Sequence, residues 1–270
     1  MTEIALTIAG SDSGGGAGIQ ADLKTFAMHC VHGASAITCV TAQNTVGVEQ
    51  IEAMSPTVVE AQIEAVAKDL QVNAVKTGML LDSEIITAVA LQVKKHSFDW
   101  LIVDPVMVSR TGVQLIDDSA IASLQKLLIP QASLVTPNRY EAQILSGMTI
   151  NSLAELQQAA IVIYQRLGAK VLAKGGSLLG SDRSMDVWYD GKTVEILFNK
   201  TIDTNNTHGT GCTLSAAICA NLALGKSLWS AVVDAKQYVT TALEYSLAIG
   251  RGNGPVGHYF PLLELNRINI

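Results

Sequence analysis

Short runs of aliphatic residues alternate along the chain with longer stretches in which apolar residues recur every three or four positions. The short runs predict β-strands and the longer stretches predict α-helices, since each spacing lets one element bury its apolar side chains. The predicted strands cover residues 4–9, 35–40, 74–77, 100–103, 134–136 and 171–173. The predicted helices between them cover residues 17–29, 56–70, 83–95, 119–128, 139–145 and 153–167. Because the strands are apolar throughout, we expect a mostly parallel central sheet between layers of helices.

The second half of the chain departs once from this alternation. Residues 186–189 and 194–198 flank Asp190-Gly191, a dipeptide that favours a tight hairpin turn, so they predict a small antiparallel addition to the sheet. A polar stretch, residues 201–208, then leads into two further predicted helices, residues 210–224 and 228–249. We find no linker, repeat or low-complexity segment, and the pattern therefore predicts one α/β domain over residues 1–270.

Composition narrows the classes of protein. Hydrophobic residues make up 49% of the chain and charged residues 16%, which excludes a disordered or coiled-coil chain. A net charge of −6 disfavours binding to a nucleic-acid backbone. The first ten residues hold no Lys or Arg and no apolar run approaches the ~20 residues of a membrane span, so neither a signal peptide nor a membrane anchor is expected. The four cysteines, Cys30, Cys39, Cys212 and Cys219, lack a zinc or disulfide spacing and indicate buried, reduced thiols in a cytoplasmic protein.

A glycine-rich turn, GSDSGGGAG at residues 10–18, follows the first predicted strand. Ligands of such sheets bind beyond the carboxyl ends of the strands, so a binding loop is expected here. Gly16, Gly18 and Ala21 also fit a loose dinucleotide-binding fingerprint, which leaves an NAD(P)-dependent oxidoreductase as a distant alternative. Against it, no acidic residue follows the second strand to hold a ribose.

The sequence NNTHGTGC, residues 205–212, leads directly into a predicted helix. Gly209 and Gly211 allow backbone N–H groups to close on an anion, and the helix dipole favours negative charge at the same point. The motif predicts a phosphate site, with Cys212 where a helix N-terminus lowers a thiol pKa. A glycine-rich helix entry with a small buried cysteine is the structural alternative.

Three further strand ends carry chemistry. Asp104 ends an aliphatic strand, where a buried carboxylate needs a partner such as Mg²⁺. Asn138 and Glu141 stand at capping-box spacing, which indicates either a helix cap or the rim of a metal–phosphate site. Lys174 precedes two glycines and suits a phosphate. An anion site, a lysine and two carboxylates at one sheet edge are what phosphoryl transfer needs. The sequence contains neither a P-loop nor a G-x-S-x-G motif, which excludes those two classes.

Six motifs together resemble one family. They are LTIAGSDSGGGAGIQAD at residues 6–22, KTGM at 76–79, DPVM at 104–107, TPN at 136–138, KGG at 174–176 and HGTGC at 208–212. In order and spacing they resemble the hydroxymethylpyrimidine and phosphomethylpyrimidine kinases of thiamine synthesis, in the ribokinase-like superfamily. The resemblance covers residues 4 to about 258. It implies a ribokinase-like three-layer sandwich, no separate lid domain and a homodimer.

The same resemblance implies an activity and its residues. ATP would phosphorylate 4-amino-5-hydroxymethyl-2-methylpyrimidine and then its monophosphate, with Mg²⁺ present. The residues it assigns to the pyrimidine are Gln43, Gly10, Asp22, Met79 and Val106. Those it assigns to ATP and the metal are Asn138, Lys174, Asn206, Thr207, Asp104 and Glu141, while Gly209, Gly211 and Cys212 would be catalytic. The Gln43 amide, a donor and an acceptor, fits an aminopyrimidine edge.

Two residues differ from the wider family pattern, and two alternative functions remain open. Most ribokinase-like enzymes carry an Asp base where Cys212 stands, although this branch resembles the chain in having Cys. The family often has His where Ser177 stands, so a nucleotide contact through His is not expected. The nearest alternative function is a vitamin B6 kinase on the same scaffold, which the presence of Gln43 disfavours. Another alternative is a sugar- or vitamin-binding protein without catalytic activity, which would not need carboxylates at positions 104 and 141.

Overall fold

The computed structural model describes residues 2–108, 114–176, 178 and 180–266. Within that part of the chain, nine strands form one sheet in the order β3-β2-β1-β4-β5-β6-β7-β8-β9. The strands are β1 Ile4–Asp12, β2 His32–Gln43, β3 Val48–Ala53, β4 Ala74–Thr77, β5 Leu101–Val103, β6 Leu134–Val135, β7 Lys170–Ala173, β8 Met185–Tyr189 and β9 Val194–Phe198. Strands β1, β2, β4, β5, β6 and β7 pair in parallel, whereas β3, β8 and β9 are antiparallel to their neighbours.

Helices follow most of the parallel strands and cover both faces of the sheet. Their bounds are α1 Gly18–Met28, α2 Pro56–Asp69, α3 Ser83–His96, α4 Asp118–Ser123, α5 Arg139–Ser146, α6 Leu153–Leu167, α7 Thr210–Ala223, α8 Leu228–Glu244 and α9 Phe260–Asn266. A mostly parallel sheet between two helix layers, with an antiparallel hairpin at β8 and β9, confirms the predicted fold class.

The continuous apolarity of the strands has a direct cause in the packing. Leu101 and Val103 of β5 point into one core, whose helix side chains include Ile63, Ile85 and Ile163. Ile102, between them, points into a second core on the opposite face, formed with α1, α7 and α8. Successive side chains on a strand face opposite ways, so a sheet with helices on both faces needs apolar residues at every position.

Three elements differ from the prediction. Strand β3 was not predicted, because all six of its residues are exposed at the sheet edge and it carries no buried pattern. Residues 119–128 form the short helix α4 followed by the π-helical turn Leu124–Leu128. Helix α8 ends at Glu244 rather than at residue 249, because the backbone N–H of Leu247 donates to the carbonyl of Pro255 instead of continuing the helix.

Two expectations concern cysteines and membranes. All four cysteines are free. Cys39 and Cys219 are buried as predicted, whereas Cys212 is only partly buried and Cys30 is exposed, contrary to the prediction. Among the helices that the structure describes, none combines the length and apolarity needed to cross a lipid bilayer.

The order of the strands locates a binding crevice. Strand β1 has β2 on one side and β4 on the other, so the chain winds in opposite directions from this point. Ligands of open α/β sheets bind at such a switch point, outside the carboxyl ends of the strands. Strand β1 is also irregular between Ala9 and Ser11, which leaves Gly10 out of the regular pairing at that edge.

Candidate active site

A cavity of about 620 Å³ opens at the carboxyl ends of the parallel strands. This volume lies within the range of small-molecule sites in proteins. Most of the residues assigned from the sequence line it: Gly10, Gln43, Met79, Asp104, Val106, Asn138, Glu141, Lys174, Thr207, Gly209, Gly211 and Cys212. The structure thus brings together side chains that lie as far apart as positions 10 and 212. Ser177, where the family often has His, lies outside the described residues.

One end of the cavity, near β1 and β2, has four of the assigned residues in its lining, all of them uncharged, although Asp12 and Lys76 also reach it. We call Gly10, Gln43, Met79 and Val106 the pyrimidine end, after the ligand that the resemblance assigns to them. A Cβ on Gly10 would lie 2.7 Å from the Cys39 sulfur and 3.2 Å from the Met79 methyl carbon, so only glycine leaves room there. The Gln43 amide lies close to Thr41 and His208. This end thus has no room for a side chain at Gly10 and offers a hydrogen-bonding amide, features that are compatible with a flat heteroaromatic ring.

The backbone N–H groups of the glycine-rich turn donate to a carboxylate of the protein itself, that of Asp12. Asp12 accepts backbone N–H donors from Gly14, Gly16 and Ala17 at 2.8–3.0 Å. Burial acts to raise the pKa of Asp12, but hydrogen bonds from His208 and these backbone groups outweigh it and the pKa lies below the usual value. A dinucleotide pyrophosphate would need the same N–H groups. Their use by Asp12 is a structural argument against the oxidoreductase alternative.

The second glycine motif forms the N-terminus of α7. Gly209 is the N-cap residue with φ = 80°, and a Cβ there would collide with the carbonyl oxygen of Gly16. No side chain caps this helix within the described chain. Its first turn therefore presents backbone N–H groups and the positive end of the helix dipole to the cavity. A Cβ on Gly211 would lie 3.3 Å from Nζ of Lys174, which places the helix end beside a cation.

Lys174 and Asp104 form a buried ion pair at the other end of the cavity. Nζ of Lys174 donates to Oδ1 of Asp104 at 2.8 Å, and the Asp104 carboxylate also accepts from Thr136 and from Ser215 of α7. Burial acts to raise the pKa of Asp104, yet the charges of Lys174 and Lys76 hold it below the usual value. Burial acts to lower the pKa of Lys174, yet Asp104 and Glu141 hold it above the usual value. Both groups are therefore charged near neutral pH.

Glu141 is a second buried carboxyl group beside this pair. It forms a capping box with Asn138 at the start of α5, so the predicted cap is present, and both residues also line the cavity. Burial, with a further contribution from Asp104, raises the pKa of Glu141 to about 8, although Lys174 opposes the shift. Near pH 7 Glu141 is therefore largely protonated beside the charged Lys174–Asp104 pair, and it can bind a cation once its proton is lost. We define Asp104, Glu141, Lys174 and the N-terminus of α7 as the phosphate end.

The donor set fits Mg²⁺ in particular. Among the described residues no group of three or more His, Cys, Asp and Glu side chains could enclose a metal ion. Mg²⁺ is commonly held by one or two carboxylates, with waters and substrate phosphates completing its shell. Asp104 and Glu141 supply that number of ligands.

Asp22 does not line the cavity, contrary to its assignment to the pyrimidine. It is fully buried beneath the site, where it accepts from Nζ of Lys76 at 2.8 Å and from the Thr7 hydroxyl at 2.6 Å. Lys76, itself fully buried, lines the cavity floor, and the charge of Asp22 raises its pKa although burial acts the other way. Asp22 therefore acts on the site through Lys76, a residue that the sequence analysis did not assign.

The thiol pKa of Cys212 shifts opposite to the prediction. Burial raises it to about 11; the charge of Lys76 acts to lower it, while Asp22 and Asp104 add to the rise. The helix N-terminus was expected to favour a thiolate, but the cost of burying a charge outweighs it. In the free protein Cys212 is therefore a neutral thiol near pH 7.

Asn206 and Thr207, which were both assigned to ATP, differ in whether they line the cavity. Asn206 is not part of the cavity lining; its amide oxygen accepts from the backbone N–H of Gly254 and holds the chain near the C-terminus. Its assignment to ATP stays a prediction, which the lining of this cavity does not support. Thr207 does line the cavity, and its buried hydroxyl has no hydrogen-bond partner among the described residues. A ligand oxygen would supply that partner.

Sequence reasoning also missed part of the cavity wall and one histidine. Beyond Lys174 the cavity reaches α8, where Lys236, Val239, Thr240 and Leu243 line it. Their helical spacing marks one helix face, but nothing local indicates which face meets the site. His208 stands inside a quoted motif without an assigned role, although the structure places it in contact with Asp12.

The site and fold define a class, a small-molecule kinase with separate regions for an aromatic ring and for phosphates. A family model described as phosphomethylpyrimidine kinase matches residues 12–257. A hydroxymethylpyrimidine/phosphomethylpyrimidine kinase of Synechococcus elongatus is 56% identical over 259 residues, 96% of this chain and 98% of that protein. The chain therefore belongs to the phosphomethylpyrimidine kinase family.

Solved structures are similar in the same way. An ADP complex of Bacillus subtilis pyridoxal kinase is 38% identical, with a TM-score of 0.91 over 97% of this chain and 100% of that chain. A phosphomethylpyrimidine kinase of Clostridium difficile is 41% identical, with a TM-score of 0.80 over 90% of this chain and all of that one. The shared fold therefore spans both pyrimidine and pyridoxal kinases.

Proposed function

We propose that the protein transfers the γ-phosphate of ATP to 4-amino-5-hydroxymethyl-2-methylpyrimidine, and a second γ-phosphate to the resulting monophosphate, for thiamine synthesis. The observation that carries this proposal is one cavity with Gln43 at one end and Lys174 with the N-terminus of α7 at the other. Membership in the phosphomethylpyrimidine kinase family supports the same substrate.

The geometry fits the steps of the transfer. The Gln43 amide would hydrogen-bond the amino edge of the ring, and the hydroxymethyl group would extend toward Cys212. The N-terminus of α7, Thr207 and Lys174 would hold the phosphates, while Val239 and Leu243 offer an apolar wall for the nucleobase. The substrate oxygen attacks the γ-phosphorus as the bond to the β-phosphate oxygen breaks, so ADP leaves.

Asp104 and Glu141 would hold Mg²⁺, which when bound neutralises charge on the phosphates. Cys212 would accept the hydroxyl proton as the transfer proceeds. Since its thiol is neutral in the free protein, Cys212 would first have to lose its own proton to solvent, with the charge of Lys76 compensating that of the thiolate, and the thiolate would then take the hydroxyl proton. We also propose that residues 1–270 form a single catalytic domain, that the protein works in the cytoplasm as a homodimer, and that it binds neither nucleic acid nor membranes.

A second candidate is vitamin B6 kinase activity, which the similarity to Bacillus subtilis pyridoxal kinase favours. Pyridoxal and the pyrimidine are both flat rings that carry a hydroxymethyl group. The pyrimidine differs in offering an amino group beside a ring nitrogen, which Gln43 can pair with both a donor and an acceptor.

The test is to incubate the purified protein with ATP and Mg²⁺ and either the aminopyrimidine or pyridoxal, and to identify products by mass spectrometry. We expect the mono- and diphosphate of the pyrimidine, with a kcat/KM at least about tenfold above that for pyridoxal. Phosphorylation of pyridoxal alone would replace the first candidate with the second, and ATP hydrolysis without any phosphorylated ring would overturn both.

A further inference from the structure

His208 joins three segments of the chain at the pyrimidine end. Its Nε2 lies 2.9 Å from Oδ2 of Asp12 and 3.4 Å from the amide nitrogen of Gln43. The amide oxygen of Gln43 lies 3.2 Å from the Thr41 hydroxyl, which also donates to the carbonyl of Ser11 at 2.9 Å. The Gln43 amide is thus clamped between an imidazole and a hydroxyl group.

The imidazole is held rigidly in this position. The backbone N–H of His208 donates to the carbonyl of Gly254, and its carbonyl accepts from the N–H of Val256. The ring packs against Gly16, where an added Cβ would collide with it. His208 therefore presents Nε2 to Asp12 and Gln43 from a fixed place.

The proton positions follow from the number of donors. The Asp12 carboxylate can only accept, so Nε2 of His208 carries a proton and donates it to Asp12. A protonated Nε2 cannot accept from the Gln43 amide nitrogen. The Thr41 hydroxyl has one hydrogen, and Ser11 takes it over the shorter distance. If the Gln43 amide is turned by 180°, its nitrogen donates to Thr41 and its oxygen faces Nε2–H of His208. Nε2 has one hydrogen, so Asp12 at 2.9 Å takes most of it and the Gln43 oxygen at 3.4 Å shares it, whereas the unturned amide would set N–H against N–H.

This orientation matters to a ring bound against Gln43. The amide presents one acceptor and one donor side by side, and turning it exchanges their places. One order matches an amino group beside an unprotonated ring nitrogen. The reverse order matches a carbonyl beside a ring N–H.

We propose that His208, held by Asp12, is a positioning residue that fixes the orientation of the Gln43 amide and thereby selects 4-amino over 4-oxo pyrimidines. The inference rests on the proposed pyrimidine kinase function. Neither His208 nor Asp12 needs to touch the substrate, since both act through Gln43.

The experiment compares kcat/KM for 4-amino-5-hydroxymethyl-2-methylpyrimidine and for its 4-oxo counterpart. The wild-type protein should prefer the amino ring by at least about 100-fold, since a hydrogen-bonding site rejects a mismatched partner strongly. In His208→Leu the amide can turn. The kcat/KM for the 4-oxo ring should therefore rise and that for the 4-amino ring should fall, and the ratio of the two should decrease at least tenfold.

Matched variants separate positioning from general damage. Gln20 contacts the same loop, accepting from the Asp12 backbone N–H and donating to the Ser11 hydroxyl at 2.8 Å, and no contact joins it to Gln43. Gln20→Ala should keep the wild-type preference even where it lowers both rates. His208→Gln restores an N–H donor toward Asp12 and should also keep it.

A second route covers the case in which His208→Leu does not fold. Thr41→Val removes the acceptor at the opposite side of the amide and should also lower the preference, whereas Thr41→Ser should not. An unchanged preference in His208→Leu and Thr41→Val, with both rates reduced equally, would overturn the inference and leave the kinase function intact. Failure of the wild-type protein to phosphorylate the amino ring would overturn the function and the inference together.

Discussion

The two ends of the cavity solve different problems with different chemistry. At the pyrimidine end, Gln43 and its neighbours supply neutral hydrogen bonds, and no side chain has room at Gly10. At the phosphate end, the charged pair of Lys174 and Asp104 lies largely out of water beside the Glu141 carboxyl group and the dipole of α7. Neutral hydrogen bonds discriminate between rings of similar shape, while buried charges stabilise a transition state in which charge moves.

This difference predicts which kinetic constant a substitution at each end of the cavity changes. Changes at the pyrimidine end should alter KM for the ring and leave KM for ATP near its original value. Changes at the phosphate end should lower kcat for either ring. The predictions below run from the largest expected effect to the smallest.

Lys174→Met should have the largest effect. It removes the cation that pairs with Asp104 and faces the phosphates, so kcat/KM should fall by about 10²–10³-fold for every ring that the protein accepts. It also leaves buried carboxyl groups without their partner, which should lower the free energy of unfolding by about 3–5 kcal/mol. Steady-state kinetics and thermal melts measure both. Lys226→Met, which breaks the surface pair with Asp234, is the matched control and should change neither.

Cys212→Ala should lower kcat by at least about 10²-fold with substrate binding largely kept, the lower end for loss of a general base. The kcat of Cys212→Ser should be nearly as low as that of Cys212→Ala, whereas Cys212→Asp should recover part of the wild-type kcat. Because the thiol pKa is about 11, the wild-type rate of the chemical step should rise with pH from 7 to 10, and this rise should vanish in Cys212→Ala.

Single-turnover rates at saturating ATP and pyrimidine measure these effects, with the exposed Cys30→Ala as a control. If Cys212→Ala and Cys212→Ser both keep most of the wild-type rate, Cys212 only packs the start of α7 and has no part in the reaction.

Gln43→Ala should raise KM for the pyrimidine by about 5–150-fold, the equivalent of about 1–3 kcal/mol for an unpaired hydrogen-bonding site. KM for ATP should stay near the wild-type value, because the phosphate end is unchanged. Gln50→Ala, on the exposed strand β3, is the control and should leave both constants unchanged. Equal changes in both KM values would show that Gln43 supports the fold rather than the ring.

The Glu141 carboxyl group should make the ligand-free protein less stable as pH rises. Its folded pKa of about 8 lies above its ordinary value of 4.5, so its stabilising contribution is complete below about pH 4.5 and is lost as pH rises toward 8. Between pH 5 and pH 8 the loss should be on the order of 3 kcal/mol, or several degrees in Tm. Thermal melts from pH 5 to pH 8 measure it, and Glu141→Gln should flatten this part of the profile. An unchanged slope in Glu141→Gln would assign the pH dependence to another group.

The two ends also differ in how far the sequence predicts them. Lys174, Asp104 and the glycines before α7 are recognisable because a charge or a glycine at the end of an apolar strand needs an explanation. The pairing of Asp12 with His208 and the burial of Asp22 beneath Lys76 depend on contacts between segments 196 and 54 residues apart. No local pattern records such contacts, and the same holds for the α8 wall of the cavity.

The thiol of Cys212 shows a similar limit. A helix N-terminus is visible in the sequence, whereas the depth of burial that reverses its effect on the pKa is a property of the packed fold. Strand β3 was missed for the opposite reason, because an exposed edge strand has no buried face to produce a pattern. The mostly parallel sheet between helix layers, in contrast, was predicted from the spacing of strands and helices, and the structure confirms it.

The most direct test of the division between the two ends is a crystal structure of the protein with the aminopyrimidine and a non-hydrolysable ATP analogue. We predict the amino edge of the ring on the Gln43 amide, the γ-phosphate at the N-terminus of α7 beside Lys174, and the hydroxymethyl oxygen between Cys212 and that phosphate. A ring bound away from Gln43, or phosphates bound away from α7 and Lys174, would contradict the account.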